Sequence, residues 1–77
     1  VLVDMRILLK PAISRLASSI ILCHNHPSGT ASPSSEDRAL TRRAASAAEL
    51  IDIRLLDHVI ITSDSEQFYS FADHGDL

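Results

Sequence analysis

The sequence predicts a small α/β fold, layered in the α+β manner, in which helices flank a small mixed sheet. Three observations indicate this fold: a helical pattern near the start, an alanine-rich helical pattern in the middle, and strand-like apolar runs after each helix. With 77 residues, 45% of them hydrophobic, the chain is long enough for one domain and no more. The predicted order is therefore helix, strand, helix, strand, strand.

Charge, cysteine content and hydropathy exclude several classes of protein. A net charge of -3 and a pI near 5.7 give no general attraction to nucleic acid. The longest apolar runs, such as Ile20 to Cys23, are far shorter than the ~20 residues that span a bilayer, and we recognise no signal peptide. Cys23 is the single cysteine, which rules out an internal disulfide and favours a cytoplasmic location. We expect a metal ion or a dimer to support so small a core.

The first predicted helix runs from Asp4, a capable N-cap, to Ser18. Pro11 removes one backbone donor inside this pattern, so we expect a kink or a break after Lys10. A short buried strand from Ile20 to Cys23 follows, because the run is apolar and contains two β-branched residues. The predicted buried face of the helix consists of Ile7, Leu8, Ile13, Leu16 and Ala17.

A loop, a second helix and a hairpin complete the predicted fold. The stretch from His24 to Ser35 is rich in proline, serine and glycine and predicts a loop. Ser34 is the predicted N-cap of a helix from about Ser35 to Ile51, with an acid three positions later. Strands are predicted at 53–62 and 67–71, joined by a turn at 63–66. The predicted buried stripe of the helix is Leu40, Ala44, Ala47, Ala48 and Ile51, and the longer strand is predicted to place Leu56, His58 and Ile60 on one face.

Two histidines and an aspartate form a candidate metal site. In an extended chain residues two apart point the same way, so His24 and His26 can face one point while Cys23 points elsewhere. Asp37 begins the next helix and can face back to that point. Two imidazoles and one carboxylate leave a tetrahedral position open for water, as in catalytic zinc sites. The pattern also fits a turn with two polar residues and an acid that complements the helix dipole.

The wider sequence resembles a known family. His24-x-His26, seven further residues and Ser34-x-x-Asp37 resemble the complete JAMM signature of MPN-domain metalloproteases. The sequence around this signature is similar to the RadC family in particular. The segments that carry the second resemblance are HNHPSG at 24–29, Pro33-Ser34 with Thr41, Leu55-Leu56-Asp57-His58, and Tyr69-Ser70-Phe71 before Gly75.

The resemblance implies a function, a ligand set and a fold. It implies a zinc-dependent hydrolase of amide or isopeptide bonds, with His24, His26 and Asp37 as zinc ligands, water as the fourth ligand, and Ser34 stabilising the oxyanion. It implies that residues 1–77 form one RadC-like JAB/MPN domain of cytidine-deaminase-like fold, truncated on its N-terminal side. Proteins of this family are commonly labelled as DNA repair proteins.

One departure from the family pattern bears on activity. JAMM enzymes use a glutamate on an upstream strand as general base, whereas none of the 23 residues before His24 is Glu. Asp4, Glu36 and Glu49 lack the expected context, and Glu36 should project about 100° away from Asp37 on the helix. We therefore expect this chain to bind zinc and to cleave its substrate at most very slowly.

Several alternatives remain beside the hydrolase. A non-catalytic, metal-stabilised binding module in DNA repair or protein recruitment is the main one, and the acidic charge argues against a nuclease. A protein or peptide substrate and a dimer are the expected partners, without a membrane. We expect His58 to be a buried, hydrogen-bonded residue rather than a fourth ligand. Arg38, Arg42 and Arg43 form a basic stripe that is typical of a solvated helix face.

Overall fold

The computed structural model describes residues 4–26, 31–62 and 67–77, and within them it has two helices and three strands. The order of these elements confirms the predicted α+β fold. The predicted turn at 63–66 and the turn residues Pro27 and Gly29 lie outside the described residues, as does Ser28. The elements are α1 Met5–Ser14, β1 Ser19–His26, α2 Ser35–Leu50, β2 Arg54–Thr62 and β3 Phe68–Ser70.

The three strands form a mixed sheet in the order β1-β2-β3. β1 and β2 are parallel and joined through α2, while β2 and β3 are antiparallel neighbours, as the predicted hairpin requires. The register places His24 beside Ile60 and His26 beside Thr62. Both histidines therefore lie at the carboxyl end of β1, on one face of the sheet.

Helix α2 begins as the sequence predicts, at a capping box. The Ser34 side chain accepts a hydrogen bond from the Asp37 backbone, and the Asp37 side chain accepts one from the Ser34 backbone. The buried side of α2 packs against β2 and follows helical spacing through Asp37, Thr41, Ala44 and Ala48. Ile51, expected in this stripe, is exposed instead because it is the C-cap residue and has left the helix.

Of the two outcomes predicted at Pro11, a break is wrong, because the helix continues through Pro11 from Met5 to Ser14, whereas a kink stays a prediction. Asp4 caps it as predicted and accepts a hydrogen bond from the Arg6 backbone. The carbonyl that would have accepted the missing donor of Pro11 belongs to Ile7, which is 74% exposed, so water can replace that donor.

The predicted buried face of α1 is also wrong in most of its members. Leu9 is the buried residue, and it forms a small core cluster with Ala48 and Ile53. Ile7, Ile13 and Leu16 are exposed. The helix ends four residues before Ser18, and Leu16 has a φ of 50°, so its side chain no longer follows the helical spacing.

Strand β1 is longer and less buried than predicted. It extends to His26, so the start of the predicted loop is strand. Within the described residues β1 is an edge strand and its exposure alternates, with Ile21 61% exposed. A register shift between Ile20 and Ile21 changes the pairing with β2. On β2, His58 is buried as predicted and Ile60 is buried too, whereas Leu56 is exposed.

Candidate metal centre

Two strand residues and one helix residue bring their side chains together at the end of β1. His24 Nδ1 lies 3.0 Å from Asp37 Oδ1, and His26 Nε2 lies 3.1 Å from Asp37 Oδ2. One ligand atom from each of the three residues lies within 4.8 Å of the other two. In a tetrahedral zinc site with bonds of about 2.0–2.1 Å, neighbouring ligand atoms are about 3.3 Å apart. The three side chains thus fit a small divalent cation with little movement.

One atom of this cluster points to a cation in particular. His24 Nδ1 is buried and makes no hydrogen bond with the described residues, because its contact with Asp37 has the length of a hydrogen bond but not the geometry. A buried polar atom without a hydrogen bond is costly and uncommon in folded proteins. The rest of the His24 side chain is 41% exposed, so the site is open on one side. An open side leaves room for a further ligand beside the protein's three.

Asp37 is held ready as a carboxylate. Its Oδ2 accepts hydrogen bonds from the Ser34 backbone at 2.8 Å and from Ser34 Oγ at 2.9 Å. Burial by itself would raise the pKa of Asp37, but these hydrogen bonds and the neighbouring His24 and His26 lower that pKa below its usual value. Asp37 therefore keeps a full negative charge at neutral pH although its side chain is only 5% exposed.

Ser34 uses its single hydroxyl hydrogen within the capping box. Its Oγ accepts from the Asp37 backbone at 3.1 Å and donates to Asp37 Oδ2 at 2.9 Å. To donate to a substrate oxyanion, the hydroxyl would have to turn away from that carboxylate. Beyond the predicted capping box, the hydrogen bond that Ser34 Oγ donates to Asp37 Oδ2 gives Ser34 a role in orienting the Asp37 carboxylate.

His58 is buried and hydrogen-bonded, as predicted, and its partner is a residue that we did not expect. Its Nδ1 lies 2.6 Å from the hydroxyl of Thr41 on α2. The ring stacks on Phe71 at a centroid distance of 4.7 Å and lies 6.0 Å from the His24 ring on its other side. Burial, helped by repulsion from His24, lowers the pKa of His58, so the ring is neutral at pH 7. The sequence feature that could have predicted this contact is a threonine one helical turn after Asp37, on the buried side of α2.

The cluster opens into a cleft of about 760 Å³. This volume lies within the range usual for ligand sites. Apolar side chains of α1, β1 and α2 form part of the wall, namely Leu8, Leu22, Ala39 and Leu40, and Glu36 and Arg43 contribute charge. Glu36 therefore borders the cleft, a position that is compatible with the predicted offset of about 100° from Asp37 around the helix.

The other acids considered as a base lie elsewhere. Asp4 caps α1 and pairs with Arg6, and Glu49 lines a separate cavity beside Asp52 and Arg54. Cys23 is exposed and does not belong to the group of three ligands. Of the predicted basic stripe, all three arginines are exposed, and Arg38 pairs with Asp76 at 3.0 Å.

Comparison with protein families identifies the family of the chain. Residues 1–76 match the family described as the RadC-like JAB domain. The chain belongs to the RadC family. This membership confirms the family resemblance that the sequence motifs carried, and the matched range includes the candidate metal residues and the LLDH segment of β2.

The RadC relatives are bacterial proteins named only UPF0758. The relative from Porphyromonas gingivalis is 53% identical over 94% of this chain, and the one from Rubrobacter xylanophilus is 49% identical over 99% of it. The aligned part is 31% and 32% of the respective relatives, so the chain spans about a third of the length of the curated relatives it matches. In the residues that the structure describes, no helix is long and apolar enough to cross a membrane.

Proposed function

We propose that this chain carries the zinc site of a hydrolase that cleaves amide or isopeptide bonds. The observation that carries the proposal is the convergence of His24, His26 and Asp37, with the buried Nδ1 of His24 lacking a hydrogen bond. Zinc bound there would polarise a substrate carbonyl and lower the pKa of a water molecule to about 7. RadC family membership supports this reading of the three residues.

The protein's own contribution to such a reaction is binding and orientation. The apolar wall of Leu8, Leu22 and Leu40 can hold an extended peptide against the face of His24 that remains exposed. Asp37 supplies a negative charge to a site whose other two side chains are imidazoles. We propose that Ser34 first orients Asp37 and then, with its hydroxyl turned toward the substrate, stabilises the oxyanion. Loss of one such donor typically costs about 10²–10³ in kcat.

The general base is the catalytic group for which this chain offers the poorest candidate. No glutamate precedes His24 in the chain, and Glu36, the acid that lines the cleft, is exposed on the first turn of α2. A well-placed base contributes about 10²–10⁴-fold to the rate. We therefore propose that the 77-residue chain hydrolyses slowly and that a base from outside these residues completes the site.

Side-by-side turnover of one fluorogenic isopeptide tests this function. We expect the zinc-loaded, full-length Porphyromonas gingivalis relative to exceed the 77-residue chain by about 10²-fold or more. Glu36→Gln in the 77-residue chain should leave the residual rate unchanged, as should the control Glu49→Gln. Equal rates for chain and relative would place the base within this chain, and loss of that rate in Glu36→Gln would identify it.

The second candidate is a metal-stabilised binding module without catalysis. The absence of glutamate from the first 23 residues favours it for this chain. The same experiment separates the two functions. A relative that binds zinc stoichiometrically but cleaves neither peptides nor isopeptides would contradict the hydrolase and support the binding module.

A further inference from the structure

We propose that Thr41 and His58 form a buried positioning pair that fixes how Asp37 and His24 face a bound metal ion. This inference rests on the proposed metal site and adds two residues that do not touch the ion. It starts from one hydroxyl group, Thr41 Oγ1, which is in contact with both α2 and β2.

The hydrogens around Thr41 can be assigned one by one. Thr41 Oγ1 lies 2.7 Å from the backbone carbonyl of Asp37, and a carbonyl can only accept, so the threonine donates its single hydrogen there. His58 Nδ1, 2.6 Å from the same oxygen, must then carry a hydrogen and donate it to Thr41. The result is a directed chain from His58 through Thr41 to the backbone of Asp37.

This chain of hydrogen bonds lies where solvent does not compete. Thr41 is 2% exposed and His58 is 1% exposed. Hydrogen bonds in such surroundings strengthen one another and resist distortion. They tie the first turns of α2, which carry Asp37, to the middle of β2. β2 is in turn paired with β1, which carries both histidines. The pair thus sets the position of one ligand-bearing element relative to the other.

The His58 ring adds a second constraint on the same site. Its plane lies between those of Phe71, tilted by 6°, and His24, tilted by 18°. Phe71 is fully buried and gives the His58 ring a fixed backing. His58 therefore limits the side on which the His24 ring can move away from Asp37. Partners of this kind typically change metal affinity by about 10–100-fold when removed.

A matched pair of substitutions tests the inference. Thr41→Val keeps the shape and removes the hydroxyl, whereas Thr41→Ser keeps the hydroxyl and removes a methyl group. We expect the zinc Kd, measured by competition with a chromogenic chelator, to rise about 10–100-fold in Thr41→Val. Thr41→Ser should stay within about threefold of wild type, which is rescue by the hydroxyl. The visible spectrum of bound Co²⁺ should change in Thr41→Val alone, because it reports the positions of the ligands.

A control separates positioning from stability. Ser70→Ala removes another buried hydroxyl, the one that donates to Asp57 at 2.6 Å, and should lower the melting temperature without changing zinc affinity. Wild-type affinity in Thr41→Val would overturn the inference, and so would equal weakening in Ser70→Ala. If Thr41→Val does not fold without metal, His58→Phe, which keeps the stacked ring and loses the donor, carries the same expectation. Wild-type protein that binds no zinc would overturn the proposed function and this inference together.

Discussion

Two aspartates of this small protein are held by similar donors and differ in what remains unsatisfied around them. Asp37 accepts from a serine hydroxyl and a backbone amide, both of Ser34. Asp57 accepts from the Ser70 hydroxyl and from the amides of His58 and Ala72. In both, the hydrogen bonds overcome burial and lower the pKa of the carboxyl below its usual value.

The difference lies in the groups beyond these donors. The hydrogen bonds of Asp57 link β2 to β3 and to the turn after it, which is a structural role. Asp37 faces two imidazole nitrogens, one of which is buried without a hydrogen bond. A charged carboxylate held by several hydrogen bonds is therefore no sign of function by itself. The candidate ligand Asp37 differs from the structural residue Asp57 in having a neighbouring polar atom that lacks a hydrogen bond.

Removing each carboxylate in turn is the sharpest test of that comparison. We expect Asp37→Asn and His26→Ala to weaken zinc binding by more than about 100-fold, because each removes a direct ligand. Asp57→Asn should bind zinc as wild type does. Metal analysis after dialysis, followed by a competition titration, measures both. Equal zinc content in Asp37→Asn and wild type would refute the assignment of the site.

Metal removal should lower stability through the site around Asp37 and not through Asp57. A ligand that binds only the native state adds about 2.7 kcal/mol at a hundredfold excess over Kd. In a domain of this size each kcal/mol shifts the melting temperature by about 4–8 °C, so a chelator should lower it by roughly 10–20 °C. His26→Ala should melt at the same temperature with and without chelator. A wild-type melt that the chelator leaves unchanged would contradict the proposal.

Lowering the pH should remove the contribution of Asp57 to the free energy of unfolding. We expect this effect to be smaller than that of metal removal. Because the folded pKa of Asp57 is lowered, its carboxylate stabilises the fold above the ordinary pKa of about 3.9, and this contribution is lost as pH falls through the lower folded pKa. With chelator present, Asp57→Asn should cost about 1–2 kcal/mol at pH 7. Urea unfolding from pH 7 to pH 2.5 should show this difference shrinking toward zero. A difference that stays constant across that range would count against the linkage.

The parts of the fold and site that the sequence predicted are the ones that local spacing controls. Ser34 and Asp37 are three residues apart, and their capping box depends on little else. His24 and His26 share a face because alternate residues of any strand do. For His24, His26 and Asp37 to meet, the start of α2 had only to lie beside the end of β1. A short connection from strand to helix favours that arrangement.

The parts that the sequence did not predict depend on distant neighbours. Apolar residues occur on several sides of α1, so only contact with Ala48 and Ile53 selects Leu9 as the buried one. Ile21 is exposed, and so are Ile61 and Phe68 on the same face of the described sheet, and whether a sheet face is covered is not readable from a single strand. Thr41 and His58 are 17 positions apart, and no local pattern links them.

The short span of the three candidate metal residues has a consequence for the order of assembly. Pairing His24 with Ile60 in the parallel sheet joins residues 36 positions apart, from 24 to 60, whereas His24 and Asp37 are 13 apart. Loop-closure entropy favours the shorter connection, and contacts distant in sequence form later. A zinc ion that met the unfolded chain would therefore gather β1 and the start of α2 first. The metal would then serve as a template on which β2 is added.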